Sequence, residues 1–386
     1  MSRPTLEVAD ILREHGKGFI ERNRSWLNWL HIKVLLAIQR CRTAALGGHV
    51  DECIRCGDRV ISYNSCRNRH CPKCQANARD RWLAERSKEL LPTRYVHVVF
   101  TLPHELAPLA YQNKRVVYGL LFKASASTLL KVAADPKHLG AEIGFLSVLH
   151  TWGQTLQLHP HVHCVIPAGG LSADHSRWIH PRYAFFLPVK VLSRVFRGKF
   201  VQALKRAFQQ EKIRFHGDQQ HLNDAKRFHS FLRTLFRQDW IVYSKPPFGG
   251  PHYVLQYLAR YTHRVAISNH RLVSLENDQV TFRWKDYAHS NQQKNMTLKV
   301  DEFLRRFLLH TLPRRFVRIR FFGFLARRKR GLLLPLCHRL LRPAPSGPSR
   351  SDSGVPPCRR CGGIMKIIER LYASPFLNGT PAYDTS

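Results

Sequence analysis

Apolar residues recur along this chain with the periods of helices and of strands. Leu27, Leu30, Val34 and Ile38 follow one another at helical spacing, which predicts that residues 5–41 are helical. The same reasoning predicts further helices over residues 75–91, 116–134, 190–211 and 223–237. Short apolar runs bounded by Pro and Gly predict strands at residues 95–102, 143–154, 161–167, 264–275 and 279–287. We therefore expect an α+β chain.

Composition indicates a folded protein with a polyanionic partner. The 386 residues include 62 Lys and Arg against 26 Asp and Glu, a formal net charge of +36, and 44% of the residues are hydrophobic. A chain this apolar can bury a core, so the charge does not belong to a disordered basic tail. Nucleic acid is the expected partner, because neutralising phosphates releases their counterions. A basic protein without such a partner is the alternative.

The longest apolar runs fall short of the ~20 residues of a membrane span. The first residues carry charges and no apolar signal region, so we expect a cytoplasmic protein that does not contact a membrane.

Clustered cysteines predict a structural zinc site. Cys53-x-x-Cys56 and Cys71-x-x-Cys74 are separated by fourteen residues, which is close to the zinc-ribbon pattern. Four thiolates in a tetrahedron would hold a small domain whose own core is thin.

Other cysteines and a histidine bear on this ligand set. Cys66 and His70 lie within the same segment and are alternate ligands. Cys358 and Cys361 form a late pair without a partner pair, so no second zinc is expected there.

Two histidines follow one another on a predicted strand. In the segment His159-Pro-His-Val-His163, His161 and His163 project from the same face, because side chains two apart in a strand share a face. Val162 then faces the core. Two imidazoles side by side make half of a divalent-metal site.

A pair of tyrosines lies in a predicted helix that begins at Pro251. Tyr257 and Tyr261 are four residues apart, so both phenols would present to one side of that helix. Arg260 and Arg264 accompany them, which is unusual for a core face. A phenol beside a metal-activated phosphodiester can act as a nucleophile.

The histidines, tyrosines and cysteines together resemble a known family, the two-tyrosine HUH (histidine–hydrophobe–histidine) transposases of the IS91 family of insertion sequences. The resemblance covers most of the chain. Relatives often carry His where Val317 stands, and the segment after about Leu333 fits the family poorly. The matching blocks are Tyr63–Gln75, His150–Gly170, Lys245–Arg271, Val280–Tyr287 and Ile319–Ala326.

The resemblance implies a reaction and roles for residues. Such enzymes nick one DNA strand, form a 5′-phosphotyrosine and transfer the strand in a rolling-circle-like transposition. Tyr257 and Tyr261 would be the nucleophiles, and His161 and His163 would bind Mg²⁺ or Mn²⁺. Gln154, expected on the preceding strand, would be the third metal ligand. Cys53, Cys56, Cys71 and Cys74 fit the zinc motif of the family.

The resemblance also implies a fold and a domain order. A helical zinc-binding module would precede an antiparallel HUH sheet of RNA-recognition-motif or ferredoxin-like type, flanked by helices. We expect residues 1–92 to form the zinc-binding domain, 93–300 the catalytic domain, 301–341 a DNA-contacting segment, and 342–386 a Pro/Ser linker with a divergent tail.

DNA contacts are expected from arginines near aromatic residues. Residues 314–330 alternate Arg with Phe, which suits phosphate contact and stacking on unpaired bases, or else an amphipathic core strand. The chain has no P-loop sequence, so strand separation would need a host helicase or single-stranded element ends. The expected DNA-contacting residues are Arg260, Arg264, Arg318 and Arg320.

Two other functions remain open on the sequence. One is a zinc-dependent DNA-binding protein whose HUH region is degenerate. The other is a plasmid-type HUH replication initiator or relaxase. The oligomeric state is not predicted.

Overall fold

The structure is a computed structural model that describes residues 4–182, 186–248, 265–287, 289–341 and 358–373, with backbone alone at 76–79 and 246–248. The helices are α1 (Val8–Arg22), α2 (Trp29–Gln39), α3 (Pro72–Ser87), α4 (Ala107–Gln112), α5 (Lys114–Ala134), α6 (Val189–Gln209), α7 (Ala225–Thr234), α8 (Val300–Leu309) and α9 (Arg327–Leu340).

The strands occur singly or in runs between these helices or after the last one. They are β1 (Gly48–Cys53), β2 (Arg59–Tyr63), β3 (Tyr95–Thr101), β4 (Gly144–Trp152), β5 (Leu158–Pro167), β6 (Gly170–Leu171), β7 (Trp178–Ile179), β8 (Val242–Phe248), β9 (Leu272–Glu276), β10 (Gln279–Asp286), β11 (Gln292–Lys299), β12 (Ile319–Gly323) and β13 (Met365–Leu371).

The described residues pack as two compact units. The first unit comprises residues 4–78, 265–311 and 358–373, and the second comprises residues 79–182, 186–248 and 312–341.

The second unit is built on a five-stranded sheet with the order β12-β4-β5-β3-β8. Every neighbouring pair in it is antiparallel. Alternate residues of its strands, such as Phe100, Phe145 and Val162, join a core with Phe122 of α5 and Phe196 of α6. Apolar side chains on one face of each strand thus bury that face beneath helices.

Helix α5 lies at the centre of this core. Its apolar residues, such as Val117, Leu121 and Phe122, are buried, whereas Arg115, Lys123 and Lys131 are exposed along one stripe of the helix. Among the described residues it is the one helix long and apolar enough to cross a membrane by length and composition, and 61% of that apolar window is buried inside the molecule. Burial of this kind is usual for a core helix.

The first unit combines helices with two small sheets. Helices α1 and α2 pack together, β13-β1-β2 form one sheet, and β11-β10-β9 form the other. Arg22 of α1 pairs with Asp301 of α8 at 2.7 Å, and Lys73 of α3 pairs with Glu7 at 2.7 Å. These contacts join segments that are far apart in the chain.

Gly47, just before β1, allows a close approach of strands in the first unit. It has φ +68°, and a Cβ there would lie 2.5 Å from the backbone oxygen of Leu371. Only glycine is free of both the left-handed conformational cost and this overlap.

The α+β prediction is confirmed as helices with antiparallel sheets. The RNA-recognition-motif arrangement stays a prediction. Strands and helices distant in sequence complete each compact unit, and the expected domain boundaries stay predictions. Strands β9–β11 and α8 belong to the first unit together with β13, whereas β12 and α9 belong to the second. Linker composition does not reveal such long-range pairing.

Candidate functional site

A group of histidines lies on the face of the second unit's sheet opposite its large core. Along β5, Val162 is fully buried in the core, whereas His161 and His163 project from the other face. The alternation expected from the sequence is therefore confirmed. Val165, next on that face, packs with Tyr95 in a smaller apolar cluster.

His150 of β4 completes a cluster of three imidazoles. The register of β4 and β5 places His150 opposite His161 and Val148 opposite His163. One ring nitrogen from each of His150, His161 and His163 lies within 4.8 Å of the others. Neutral imidazole nitrogens at this spacing can bind one divalent transition-metal ion, such as Mn²⁺.

Neighbouring groups fix the orientation of two of these rings. The Nδ1 of His161 lies 2.6 Å from the carbonyl oxygen of His159, so this nitrogen donates and Nε2 is the nitrogen presented to a metal. The Nδ1 of His163 lies 2.8 Å from Nε2 of His97 on β3. A metal held by His163 would therefore also be bound through Nε2.

His97 stays neutral in this setting. Burial, with smaller contributions from the charges of Lys245 and His161, lowers its pKa to about 3. A neutral imidazole can serve as hydrogen-bond donor or acceptor to His163 without adding charge to the site.

Gln154 lies outside strand β4. The strand ends at Trp152, and Gln154 occupies the turn that leads to β5. The expectation that it lies on the strand is wrong, because β4 ends two residues earlier than the apolar run suggested. Its role as a metal ligand stays a prediction. The sequence did not identify His150 as a member of the cluster, although a short hairpin before β5 would have placed it opposite His161.

Tyr257 and Tyr261, with Arg260 and Arg264, lie outside the described residues, so their predicted roles stay predictions.

Of the two other predicted DNA-contacting arginines, Arg320 lies in the edge strand β12 and Arg318 lies just before it. The Arg320 guanidinium lies 4.2 Å from the centre of the Phe122 ring and 5.3 Å from that of Phe316. Its Nε donates to the backbone oxygen of Val317 at 3.2 Å. Arg320 is thus half-buried against aromatic residues of its own unit. Arg318 is also half-buried, and its backbone oxygen accepts from Leu149 at 2.9 Å.

In the first unit, four cysteines converge between the end of α2 and the start of α3. The sulfur of Cys74 lies 3.4 Å from that of Cys41 and 3.5 Å from that of Cys66. Cys71 completes the group, and all four sulfurs lie within 4.8 Å of one another. A zinc tetrathiolate with bonds of ~2.3 Å has sulfurs roughly 3.8 Å apart, so the group fits zinc.

Local hydrogen bonds favour a thiolate at Cys74. The thiols of Cys41, Cys66 and Cys71 lower the pKa of Cys74 by hydrogen bonding to it, whereas hydrogen bonds to Cys41 raise the pKa values of Cys66 and Cys71. The backbone N–H groups of Cys66 and Asn68 point at the sulfurs of Cys41 and Cys66, each at 3.5 Å. Both the hydrogen bonds to Cys74 and these N–H groups stabilise negative charge on sulfur.

This arrangement differs from the single site expected from the sequence. Cys71 and Cys74 lie with Cys41 and Cys66, whereas Cys53 and Cys56 lie with Cys358 and Cys361 in a separate group. The expected set of four thus divides between two groups, because β1 carries the first pair away to the pairing with β13. Cys66, which was expected as an alternate ligand, belongs to the first group. His70, the other expected alternate, belongs to neither cysteine group.

Comparison with known proteins adds family information. Residues 144–331 match a family model described as "Putative transposase", and residues 11–102 match one described as "Transposase zinc-binding domain". The two matches enclose the histidine cluster and the first cysteine group.

Two curated proteins are similar along most of their length. "Putative transposase y4qJ" of Sinorhizobium fredii is 54% identical over 353 residues, covering 92% of this chain and 88% of that protein. "Transposase for insertion sequence element IS801" of Pseudomonas savastanoi pv. phaseolicola is 27% identical over 352 residues, covering 86% of this chain and 81% of that protein. No solved structure matches the chain.

Proposed function

Because this chain belongs to the IS91 family of insertion-sequence transposases, we propose that it transposes DNA by nicking and transferring a single strand through a 5′-phosphotyrosine. The observation that carries the proposal is the cluster of His150, His161 and His163 on one face of an antiparallel sheet. The sheet, flanked by helices, is proposed to be of HUH type.

The imidazoles of the cluster would hold Mg²⁺ or Mn²⁺. A bound ion would polarise the scissile phosphate and offset charge as it develops in the transition state. The residues of the chain supply the frame: the hairpin of β4 and β5 sets the spacing of the rings. The carbonyl of His159 and the ring of His97 orient two of them.

Tyr257 and Tyr261 are the proposed nucleophiles. The phenol oxygen of one tyrosine attacks the phosphorus, the tyrosyl O–P bond forms, and the bond from phosphorus to the 3′ oxygen breaks. The phenolic proton is lost and a proton is gained by the leaving 3′ oxygen. One phosphodiester is exchanged for another, so ATP is not consumed, and the second tyrosine serves the second cleavage or the transfer.

A free phenol has a pKa of ~10, so its activation needs a nearby cation. Arg260, between the two tyrosines in sequence, is proposed to contribute to it, with Arg264 on the DNA backbone.

Single-stranded element ends and target DNA are the proposed partners, with strand separation by a host helicase. The net charge of +36 suits a phosphate backbone. The proposed place of action is the bacterial cytoplasm, at the nucleoid.

A cleavage assay with a single-stranded oligonucleotide carrying the element end tests the metal site. In Mn²⁺ the full chain should cut the strand, and His161→Ala and His163→Ala should lose cutting at least a hundredfold. His150→Ala should raise the Mn²⁺ concentration needed for half-maximal cutting about tenfold or more, as loss of a metal ligand does. His216→Ala, at an exposed position on the other side of the core, is the control.

Two results would contradict the proposal in different ways. Cutting that persists in His161→Ala would remove the metal role of the HUH pair. A variant Gln154→Ala that loses cutting while His150→Ala keeps the Mn²⁺ dependence of the unmodified protein would return the third ligand to Gln154.

A further inference from the structure

The second cysteine group of the first unit combines Cys53 and Cys56, inside a segment that matches a family model, with Cys358 and Cys361, which lie outside both matched segments. Cys53 and Cys56 precede strand β2, whereas Cys358 and Cys361 precede β13, about 300 residues later in the chain. We propose that these four cysteines bind a second structural zinc ion, which joins the C-terminal tail to the N-terminal zinc-binding module.

The sulfur positions fit a tetrahedral site. The sulfurs of Cys53 and Cys361 are 3.5 Å apart, and those of Cys56 and Cys358 are 3.7 Å apart. All four lie within 4.8 Å of one another. These separations approach the roughly 3.8 Å edge of a zinc tetrathiolate, and they exceed by far the ~2.05 Å of a disulfide.

The two halves of the site have the same backbone structure. Each is a Cys-x-x-Cys-Gly turn, and Gly57 and Gly362 both have φ +71°. The N–H of each glycine donates to the carbonyl of the first cysteine of its turn at 2.9 Å. The N–H of that first cysteine donates in turn to a carbonyl five residues on, Asp58 in one half at 2.9 Å and Gly363 in the other at 2.8 Å.

This equivalence is a strong argument for a ligand. A turn that points two sulfurs at one point is a zinc knuckle, and a structural site of zinc-ribbon type uses two of them. Two unrelated segments adopt the same turn here and bring their sulfurs together, which an accidental contact between free thiols would not require.

Strand pairing sets the register between the two knuckles. Strand β1 pairs with β13 in antiparallel fashion from Gly48 opposite Leu371 to Cys53 opposite Met365. Beyond the strands, the N–H of Ile54 donates to the carbonyl of Ile364 at 3.1 Å. The ladder therefore runs directly into the cysteine group.

Close packing around the sulfurs leaves no room for larger residues. A Cβ at Gly363 would lie 2.9 Å from Cβ of Arg55, 3.0 Å from the sulfur of Cys53 and 3.3 Å from that of Cys361. A glycine is thus needed where the second knuckle passes the first.

Apolar burial alone gives the tail little stability. Most residues of β13 are exposed, with Ile367 at 52% and Ile368 at 46% exposure. An edge strand with so little buried surface gains little from the hydrophobic effect. Metal binding supplies folding free energy directly to small domains, so the zinc is what would hold β13 on the sheet.

Zinc content of the full chain tests this proposal, independently of strand cleavage. Purified without chelators and measured by plasma mass spectrometry, the unmodified chain should carry two zinc ions. The double variant Cys358→Ser, Cys361→Ser should carry one, and so should Cys66→Ser, Cys71→Ser through loss of the other site. Cys337→Ala, which changes a buried cysteine of α9 in the second unit, should keep two.

Cobalt provides a second readout that does not depend on a variant folding. The apo chain titrated with Co²⁺ should show the thiolate-to-cobalt absorption of a tetrathiolate growing through two equivalents. A chain that carries a single metal ion, or a Cys358→Ser, Cys361→Ser variant that keeps two, would overturn the proposal. Peptide mapping that finds Cys53 joined to Cys361, or Cys56 to Cys358, by a disulfide would overturn it as well.

Discussion

At the residue scale, His97 shows how a side chain outside the histidine cluster can orient one of its rings. The residue is 3% exposed, and its Nε2 lies 2.8 Å from Nδ1 of His163. Because burial lowers its pKa to about 3, its ring remains neutral throughout the physiological pH range. It can therefore hold one tautomer and one orientation of His163 without repelling a metal ion.

Removal of this imidazole should weaken metal binding at the proposed site. We expect His97→Ala to raise the Mn²⁺ concentration needed for half-maximal strand cutting by roughly 10–100-fold, the range seen for groups that orient metal ligands. His97→Gln, which restores a polar group at the same place, should recover part of the loss. Melting temperature is measured alongside, and a well-folded His97→Ala protein with unchanged Mn²⁺ dependence would show that His97 does not position His163.

At the element scale, the junction of β12 with α9 depends on one glycine. Strand β12 pairs with β4 through Gly323 opposite Gly144, so it adds an edge to the sheet that carries the histidines. Gly323 has φ +61°, and a Cβ there would lie 1.7 Å from the backbone oxygen of Ile143. No flexible side chain can move to relieve such an overlap, because the neighbour is backbone.

Substitution at this glycine should destabilise the second unit. Gly323→Ala combines left-handed backbone with a steric overlap, and we expect it to lower the free energy of unfolding by about 1–3 kcal/mol or more. Denaturant unfolding followed by circular dichroism measures the change.

The matched control is Gly331→Ala, within α9, where a Cβ meets nothing within 4 Å. This change should stabilise the helix by up to about 1 kcal/mol. Equal effects of the two substitutions would contradict the account of Gly323.

At the scale of the whole molecule, the family, the mixture of helices with antiparallel sheets, and the two faces of strand β5 could all be predicted from sequence. Each depends on local information: motif spacing, or the period of two along one strand. The alternation around Val162 is an example, since a buried valine between two histidines needs no knowledge of the partner strand.

Long-range pairing is what the sequence did not reveal. Cys56 lies with Cys358, a partner 302 residues away, and no spacing rule connects them. Cys41 lacks a motif of its own and joins its group only because α2 ends beside α3. His150 meets His161 through the exact length of a hairpin turn, which propensities define poorly.

The excess of basic residues also takes its meaning at this scale. A formal charge of +36 indicates a nucleic-acid partner. It does not show whether the protein only binds that partner or also cuts it. The histidine cluster favours cutting, and the two tyrosines would join the protein covalently to the cut DNA strand.

Mass spectrometry of the covalent product tests the central claim most directly. The full chain is incubated with Mn²⁺ and a single-stranded oligonucleotide carrying the element end, then digested. The account predicts an oligonucleotide attached through its 5′ phosphate to Tyr257 or Tyr261, and no attachment in the double variant Tyr257→Phe, Tyr261→Phe. Attachment that persists in that variant, or a strand cut without any attached product, would contradict it.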